Sequence, residues 1–481
     1  MNSHTHKHRD SVAAKCHGLM AVTSLSLVLS IAGLPFQDQD ADATSRKTEA
    51  PGKVAHIITA DGRQPGDLSL NGEWDFTYTP SSAREMPELP PESAFDAKIQ
   101  VPGRWDEQLD RFHNATWWPN ARFVFTHVGW NARYLSGIGW HRTKIDAPST
   151  WRDCPVTLTV GWAAGAVCYV WLNRAFVGEY EYGFYTPCSF DLTPYMKAGT
   201  ANELIIALDN TKGLAGFHRY WALQGRGSGL FRPVTLHVSE GPGRITDIYV
   251  RPGEDLKEVV WQALLEVPTN ESAPASRLLW EVCDSADKTL ERGEVTMPGF
   301  TGEHQATWKK RIPSIRPWSA RHPNLYRTKI QWLVGTQPWD KREQRFGLRR
   351  WSRDGRKLFL NGQPIYLRGE TSLQTLNPLS NTLPTSKEFW LMHLKRVKDL
   401  GFNFHVHCDH VNWIPLPPEL LEAADELGII VQAGEQLTSA VPSYRDRYQE
   451  VWKPMVLWTR GHPSMCVYGF GSEDDYYDGV L

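Results

Sequence analysis

Residues 402–431 read FNFHVHCDHVNWIPLPPELLEAADELGIIV, and the change of period within them decides the architecture. From Phe402 to His407 apolar and polar side chains alternate, the pattern of an extended strand. Pro418 can open a helix because the N–H it lacks has no partner in a first turn. Glu419 to Leu427 then keeps helical spacing, and Gly428 supplies the left-handed stop. Ile429-Ile430-Val431 follows as a short buried strand. This is one βα repeat closed by the next strand.

The same cycle extends both ways. Upstream, Pro364-Ile365-Tyr366-Leu367 reads as a strand, Thr385 and Glu388 have capping-box spacing ahead of Trp390, Leu394 and Val397, and Gly401 stands at the expected C-terminal cap. Downstream, a helix from about Tyr444 to Arg460, kinked at Pro454, leads to Met465-Cys466-Val467-Tyr468. Four such strands imply a parallel sheet, either a (β/α) barrel or an open doubly wound sheet. No Gly-x-Gly-x-x-Gly follows the first strand, so no dinucleotide cofactor is expected. Trp351 to Leu481 is 131 residues, about half of the roughly 250 that an eight-stranded barrel takes. A half barrel exposes sheet edges, which another chain or segment must complete if they are not to aggregate.

Strand parity sorts the candidate residues. Phe402, Phe404 and Val406 share one face, and Asn403, His405 and His407 the other. In a barrel the apolar face is expected against the helices and the polar face in the lumen, with His407 nearest the catalytic rim; interior histidines without catalytic duty are the blander reading. Glu435 follows the third strand, and Glu473 follows the fourth within Gly469-Phe470-Gly471-Ser472-Glu473-Asp474-Asp475. Carboxylates at strand ends are placed for acid and base chemistry, whereas a solvated acidic terminus suits Asp474 and Asp475 better. Glycoside hydrolysis needs two carboxyl groups flanking the scissile bond, and the residues by themselves assure no pair.

The region before the barrel is β-rich. Val156 to Val160 alternates with period two, Val167 to Leu172 and Leu204 to Leu208 are short apolar runs, and Asn173-Arg174 is a hairpin turn. Strands with Gly and Pro punctuation predict a β-sandwich up to about Val250, and Ile245 to Leu333 predicts a second, of immunoglobulin-like size.

The 481 residues are 41% hydrophobic and 22% charged, with a net charge of −2. A nearly neutral chain without a basic stripe is not expected to bind nucleic acid or an anionic membrane. Twenty-one Trp and 16 Tyr suit sugar stacking and large β cores alike. Lys7, Arg9 and Lys15 precede a 16-residue apolar run from Leu19 to Leu34 containing three Ser, and Ala41-Asp42-Ala43 offers a small-x-small cleavage site. This is the pattern of a secretory signal over residues 1–43, with an uncleaved anchor as the alternative. His4, His6 and His8 belong to that leader. The expected location is secreted or periplasmic, with no membrane span after cleavage. Beyond the leader, Cys154, Cys168, Cys188, Cys283, Cys408 and Cys466 are sparse and unevenly spaced, so mostly buried free thiols are expected. Neither Cys-x-x-Cys nor His-Glu-x-x-His occurs, and no metal or other cofactor is expected.

Several segments, taken in order, resemble the family two glycoside hydrolases, which include β-galactosidases, β-glucuronidases and β-mannosidases. They are Leu70 to Phe76 (LNGEWDF), Val101 to Trp105 (VPGRW), Gly137 to Arg142 (GIGWHR), Ser228 to Val234 (SGLFRPV), Trp318-Ser319, Pro323 to Tyr326 (PNLY), Arg345 to Arg349 (RFGLR), Phe359 to Pro364 (FLNGQP) and Leu367-Arg368-Gly369. His462-Pro463-Ser464 followed by Gly471-Ser472-Glu473 falls where the family has His-Pro-Ser and then Gly-Asn-Glu. The resemblance implies a jelly-roll, galactose-binding-like β-sandwich over 54–240, an immunoglobulin-like sandwich over 241–345 and a partial (β/α)8 TIM barrel over 346–481. It implies retaining hydrolysis of a β-linked sugar, with oligo- or polysaccharide as the partner and Glu473 as general acid and base. Ser472, His405, His407, Glu435 and Arg368 are the substrate-binding candidates. Ser472 replaces the Asn that contacts the 2-hydroxyl in the family, Val406 replaces an Arg, and Glu370-Thr371-Ser372 replaces Asn-Arg-His. The resemblance puts the nucleophile beyond Leu481, so this chain alone is expected to be nearly inactive. The alternatives are an inactive fragment or a carbohydrate-binding protein using Trp117, Trp118, Tyr220 and Trp221.

Overall fold

A computed structural model describes residues 66–79, 86–109, 137–161, 167–180, 186–209, 229–230, 232–268, 271–370, 386–407, 416–433 and 448–468. The first layer pair is an antiparallel sandwich. Its six-stranded sheet runs, neighbour to neighbour, 97–101, 72–79, 138–147, 200–209, 167–172 and 175–180; the facing sheet runs 68–69, 234–238, 156–160 and 188–191. Trp74, Phe76, Leu158, Phe190, Leu204 and Ile206 fill the space between them. Asn173 and Arg174 form the expected hairpin turn, both with positive φ, as a two-residue connection between twisted strands requires. The Asn173 amide donates to Tyr195 O and to Asn202 Oδ1, which fixes the turn from outside.

The second sandwich packs strands 244–252, 258–266 and 303–311 against 289–297, 276–283, 326–334 and 337–346. Trp261, Leu278, Trp280 and Trp332 form its centre. Trp74, Trp105, Trp140, Trp261, Trp318, Trp332 and Trp390 are all fully buried, so these tryptophans are packing residues; Trp117, Trp118, Tyr220 and Trp221 lie outside the described residues. The free thiols of Cys168, Cys188 and Cys283 are buried, and those of Cys154 and Cys466 partly so. No helix among the described residues is long and apolar enough to cross a membrane.

A small meander of strands 351–354, 357–360 and 363–365 leads into the βα region. There β1 (Gly369–Glu370), β2 (Phe404–His407), β3 (Ile430–Ala433) and β4 (Met465–Tyr468) pair in parallel in that order. Between them lie α1 (Lys387–Asp399), α2 (Pro418–Leu427) and α3 (Tyr448–Thr459). Among the described residues this is an open four-stranded βα sheet, the partial barrel expected, and not a closed one. The helix stops are as read: Gly401 and Gly428 both have positive φ. The start of α1 is not. Its N-cap is Ser386, whose Oγ accepts the Phe389 N–H at 3.2 Å, one residue later than the Thr385 and Glu388 spacing suggested. Ser386 can cap because its hydroxyl reaches the third amide of the helix.

The expected facing of β2 is reversed. Phe404 packs with Trp318, Leu360 and Ile430 on the face away from the helices. His405 turns under α1, its ring 6.2 Å from that of Trp390. A polar side chain is tolerated there because Glu370, its register partner on β1, hydrogen-bonds it, while Phe404 is needed to cover the apolar meander.

Candidate active site at the carboxyl edge of the parallel sheet

Parallel βα sheets expose function at the carboxyl ends of their strands. Here those ends are Glu370, His407, Ala433 and Tyr468. Glu435 follows Ala433, and Ser472 and Glu473 follow Tyr468; all three lie outside the described residues. His407 closes β2 with its backbone in register with Ala433. His405 is fully buried in the layer between sheet and α1. Arg368 stands before β1, at the amino end of the sheet, where its N–H donates to Asn403 Oδ1 at 2.8 Å. With Asn361, Tyr366 and Asn403 it lines a cavity of about 1100 Å³. The structure therefore does not gather Arg368 and His405 at one rim.

It does show how the strand leading towards Glu473 is held. Asp425, on the buried face of α2, accepts from His462 Nδ1 at 2.6 Å and from the Ser464 N–H at 2.9 Å. Burial would push the Asp425 carboxyl up, but the His462 ring, Arg345 and the Ser464 amide outweigh it and hold the group below the usual carboxylate range. The Ser464 carbonyl accepts from Val431 N at 2.8 Å, which sets β4 beside β3.

The second sandwich reaches into the same place. Trp318 donates its indole N–H to Asp425 O at 2.8 Å, and Arg349 donates to Met465 O at 2.9 Å. Gly347 lies so close that a Cβ there would stand 2.9 Å from both Pro463 Cγ and Trp318 Cβ. Asn361 donates to Trp318 O at 2.8 Å. At the far end of β4, Thr459 Oγ1 donates to Met455 O, so the Tyr468 hydroxyl, 2.8 Å away, donates to Thr459. The sequence segments containing Trp318, Arg345 to Arg349, Asn361 and His462 to Ser464 thus converge on the start of one strand.

Comparison with known proteins identifies the family of the two sandwiches. The family model described as glycosyl hydrolases family 2, sugar binding domain, matches residues 68–239, and the model described as glycosyl hydrolases family 2 matches 243–349. The chain belongs to glycosyl hydrolase family 2. A beta-galactosidase of Halalkalibacterium halodurans is 25% identical over 444 residues, which is 84% of this chain and 41% of that protein. Beta-glucuronidase 2 of Bacteroides uniformis, solved covalently bound to cyclophellitol-6-carboxylate aziridine, superposes with a TM-score of 0.65 at 20% identity, covering 87% of this chain and 48% of that one. A family 2 member from Bacteroides cellulosilyticus gives 0.62 at 19% identity over 85% of this chain and 53% of its own. At such identities the structures establish the shared fold. The chain spans about two fifths of the length of that curated beta-galactosidase.

Sequence reasoning picked out His462, Pro463 and Ser464 but missed Asp425, the residue that holds them. One signal was available: Asp425 is the acidic residue on an apolar helical face with Leu420, Leu421 and Ala424. It also missed the pairing of Glu370 with His393, which no sequence spacing announces.

Proposed function

We propose that the protein is a retaining β-glycosidase, β-galactosidase-like in class, in which Glu473 protonates the leaving oxygen and later deprotonates the attacking water. The observation that carries this reading is the anchoring of β4. Asp425, His462 and Ser464 fix the start of the strand Met465–Tyr468, which Gly471-Ser472-Glu473 follows in sequence, and the carboxyl edge of such a sheet is where acid and base groups act. The covalent complex of the Bacteroides uniformis relative supports a route through a glycosyl-enzyme intermediate. We also propose that the substrate is a terminal β-linked sugar of an oligo- or polysaccharide, and that residues 1–43 direct export.

The test is hydrolysis of aryl β-galactosides and β-glucuronides by the protein in a form that includes the nucleophile, which the turnover predictions below also use, and by the Glu473→Gln variant of that form. Loss of a positioned acid and base lowers turnover by about 10² to 10⁴. Unchanged turnover in Glu473→Gln refutes the assignment. Retention of anomeric configuration in the product, followed by NMR, separates the retaining route from an inverting one.

A further inference from the structure

Apart from the Asp425 cluster, three donor groups meet between the sheet and α1. Glu370 ends β1, His405 is its register partner on β2, and α1, which connects the two strands, lays His393 over both. Glu370 Oε1 lies 2.7 Å from His405 Nδ1 and 3.3 Å from His393 Nε2. One donor atom from each residue falls within 4.8 Å of the other two. Aromatic rings wall the group: Trp390 stands edge-on to both imidazoles, and Phe389 stacks on His393 with ring centroids 6.3 Å apart.

We propose that Glu370, His393 and His405 bind a divalent cation of the zinc class, with water completing the coordination. A tetrahedral ion with bonds of about 2.0–2.2 Å sets neighbouring donors about 3.3–3.5 Å apart. The Glu370–His393 separation already has that value. The Glu370–His405 separation has to open by roughly 0.6 Å, within the reach of a small rotation about the Glu370 side-chain bonds. Two imidazole nitrogens and one carboxylate favour zinc, cobalt or nickel over magnesium or calcium, which take oxygen. His405 is fully buried, whereas Glu370 and His393 keep 19% and 16% of their side chains exposed, so a solvent path reaches the donors. The Glu370 carboxylate offsets part of the dication's charge, and the aromatic wall beside it lowers the local dielectric and strengthens that attraction. The ion would clasp β1, α1 and β2, the first βα unit of the sheet, and this role stands independently of the glycosidase reading.

The experiment uses the full chain, with His4, His6 and His8 changed to Ala so that the leader contributes no ligands. After chelator treatment and dialysis, zinc is titrated by calorimetry and cobalt by visible absorption. The proposal expects one equivalent of zinc, an intense tetrahedral cobalt spectrum and a rise in Tm with zinc. His393→Ala and Glu370→Gln should each lose that equivalent and the cobalt bands while keeping the far-UV circular dichroism of the reference. His393 is only partly buried, so its truncation tests the site even if changes at the fully buried His405 prevent folding. Absence of zinc binding to the reference chain, or unchanged stoichiometry and affinity in folded His393→Ala, overturns the proposal.

Discussion

His462 and Asp425 form a fully buried pair, Nδ1 to Oδ2 2.6 Å, that joins α2 to the start of β4. The other oxygen of the same carboxylate takes the Ser464 N–H. One side chain thereby fixes both the direction and the register of the strand leading to Glu473.

Removing that carboxylate should be costly. Asp425→Ala leaves the His462 ring and the Ser464 amide buried without their acceptor, and breaking a buried, hydrogen-bonded pair on one side costs about 3–5 kcal/mol. Urea unfolding should show this as a lower midpoint at unchanged m-value. The pH dependence follows from the depressed carboxyl. Its folded value lies below the unfolded 3.8, so the stabilisation is complete well above pH 3.8 and is lost as pH falls through the folded value. Asp425→Asn, which has no carboxyl to protonate, should flatten the acid limb of the stability profile; an unchanged acid limb refutes the role.

Arg232 and Glu419 connect the first sandwich to the first turn of α2, Nη1 to Oε1 2.5 Å. Burial acts against both charges: it lowers the Arg232 value and raises that of Glu419, each opposed by the partner. Such a pair is expensive to assemble and worse to break on one side. Arg232→Met and Glu419→Leu should each destabilise more than the double substitution, with an interaction energy of about 0.5–3 kcal/mol in a double-mutant cycle. Simple additivity would show that the contact carries no coupling.

The parts legible in the sequence were those with a local cause. The sandwiches announce themselves by alternation in Val156 to Val160 and by the turn at Asn173-Arg174, and the βα order by Pro418, Gly401 and Gly428, which act within one turn of the chain. Side-chain facing was less legible. Phe404 and His405 alternate correctly, but which face meets α1 depends on Glu370 and Trp390, residues distant in sequence. The Glu370, His393 and His405 group was invisible for the same reason, because three separate elements supply its donors. Asp425 escaped because a lone acid on an apolar face declares neither its partner nor its depressed carboxyl. The candidate site was legible in His462 to Ser464 only as a motif. Its physical content, the convergence of Trp318, Gly347 and Arg349 on the same strand, needed the fold.

Gly347 tests that convergence directly. A methyl group there would meet Pro463 and Trp318 at 2.9 Å, closer than carbon atoms pack. Pro463 is ring-locked and Trp318 is fully buried and hydrogen-bonded, so neither can yield cheaply. Gly347→Ala should cost about 1–3 kcal/mol by overpacking, read by thermal unfolding, and should lower kcat more than it raises KM if β4 positions the acid and base. A variant with wild-type Tm and kcat would show that the neighbours relax freely.

Ser472 offers a gain-of-function test. The family resemblance places an Asn at this position, in contact with the substrate's 2-hydroxyl, and contacts of that kind strengthen as the oxocarbenium-like transition state forms. A serine is shorter and lacks the amide donor, so the expected consequence is weaker transition-state stabilisation and not weaker ground-state binding. Ser472→Asn should therefore raise kcat/KM on aryl β-glycosides mainly through kcat, and the gain should shrink on 2-deoxy substrates, which have nothing for the amide to hold. A gain of equal size on the 2-deoxy substrates would assign the effect to strand stability. No gain on either substrate would mean that this chain places Ser472 differently from its relatives and reads the sugar by other contacts.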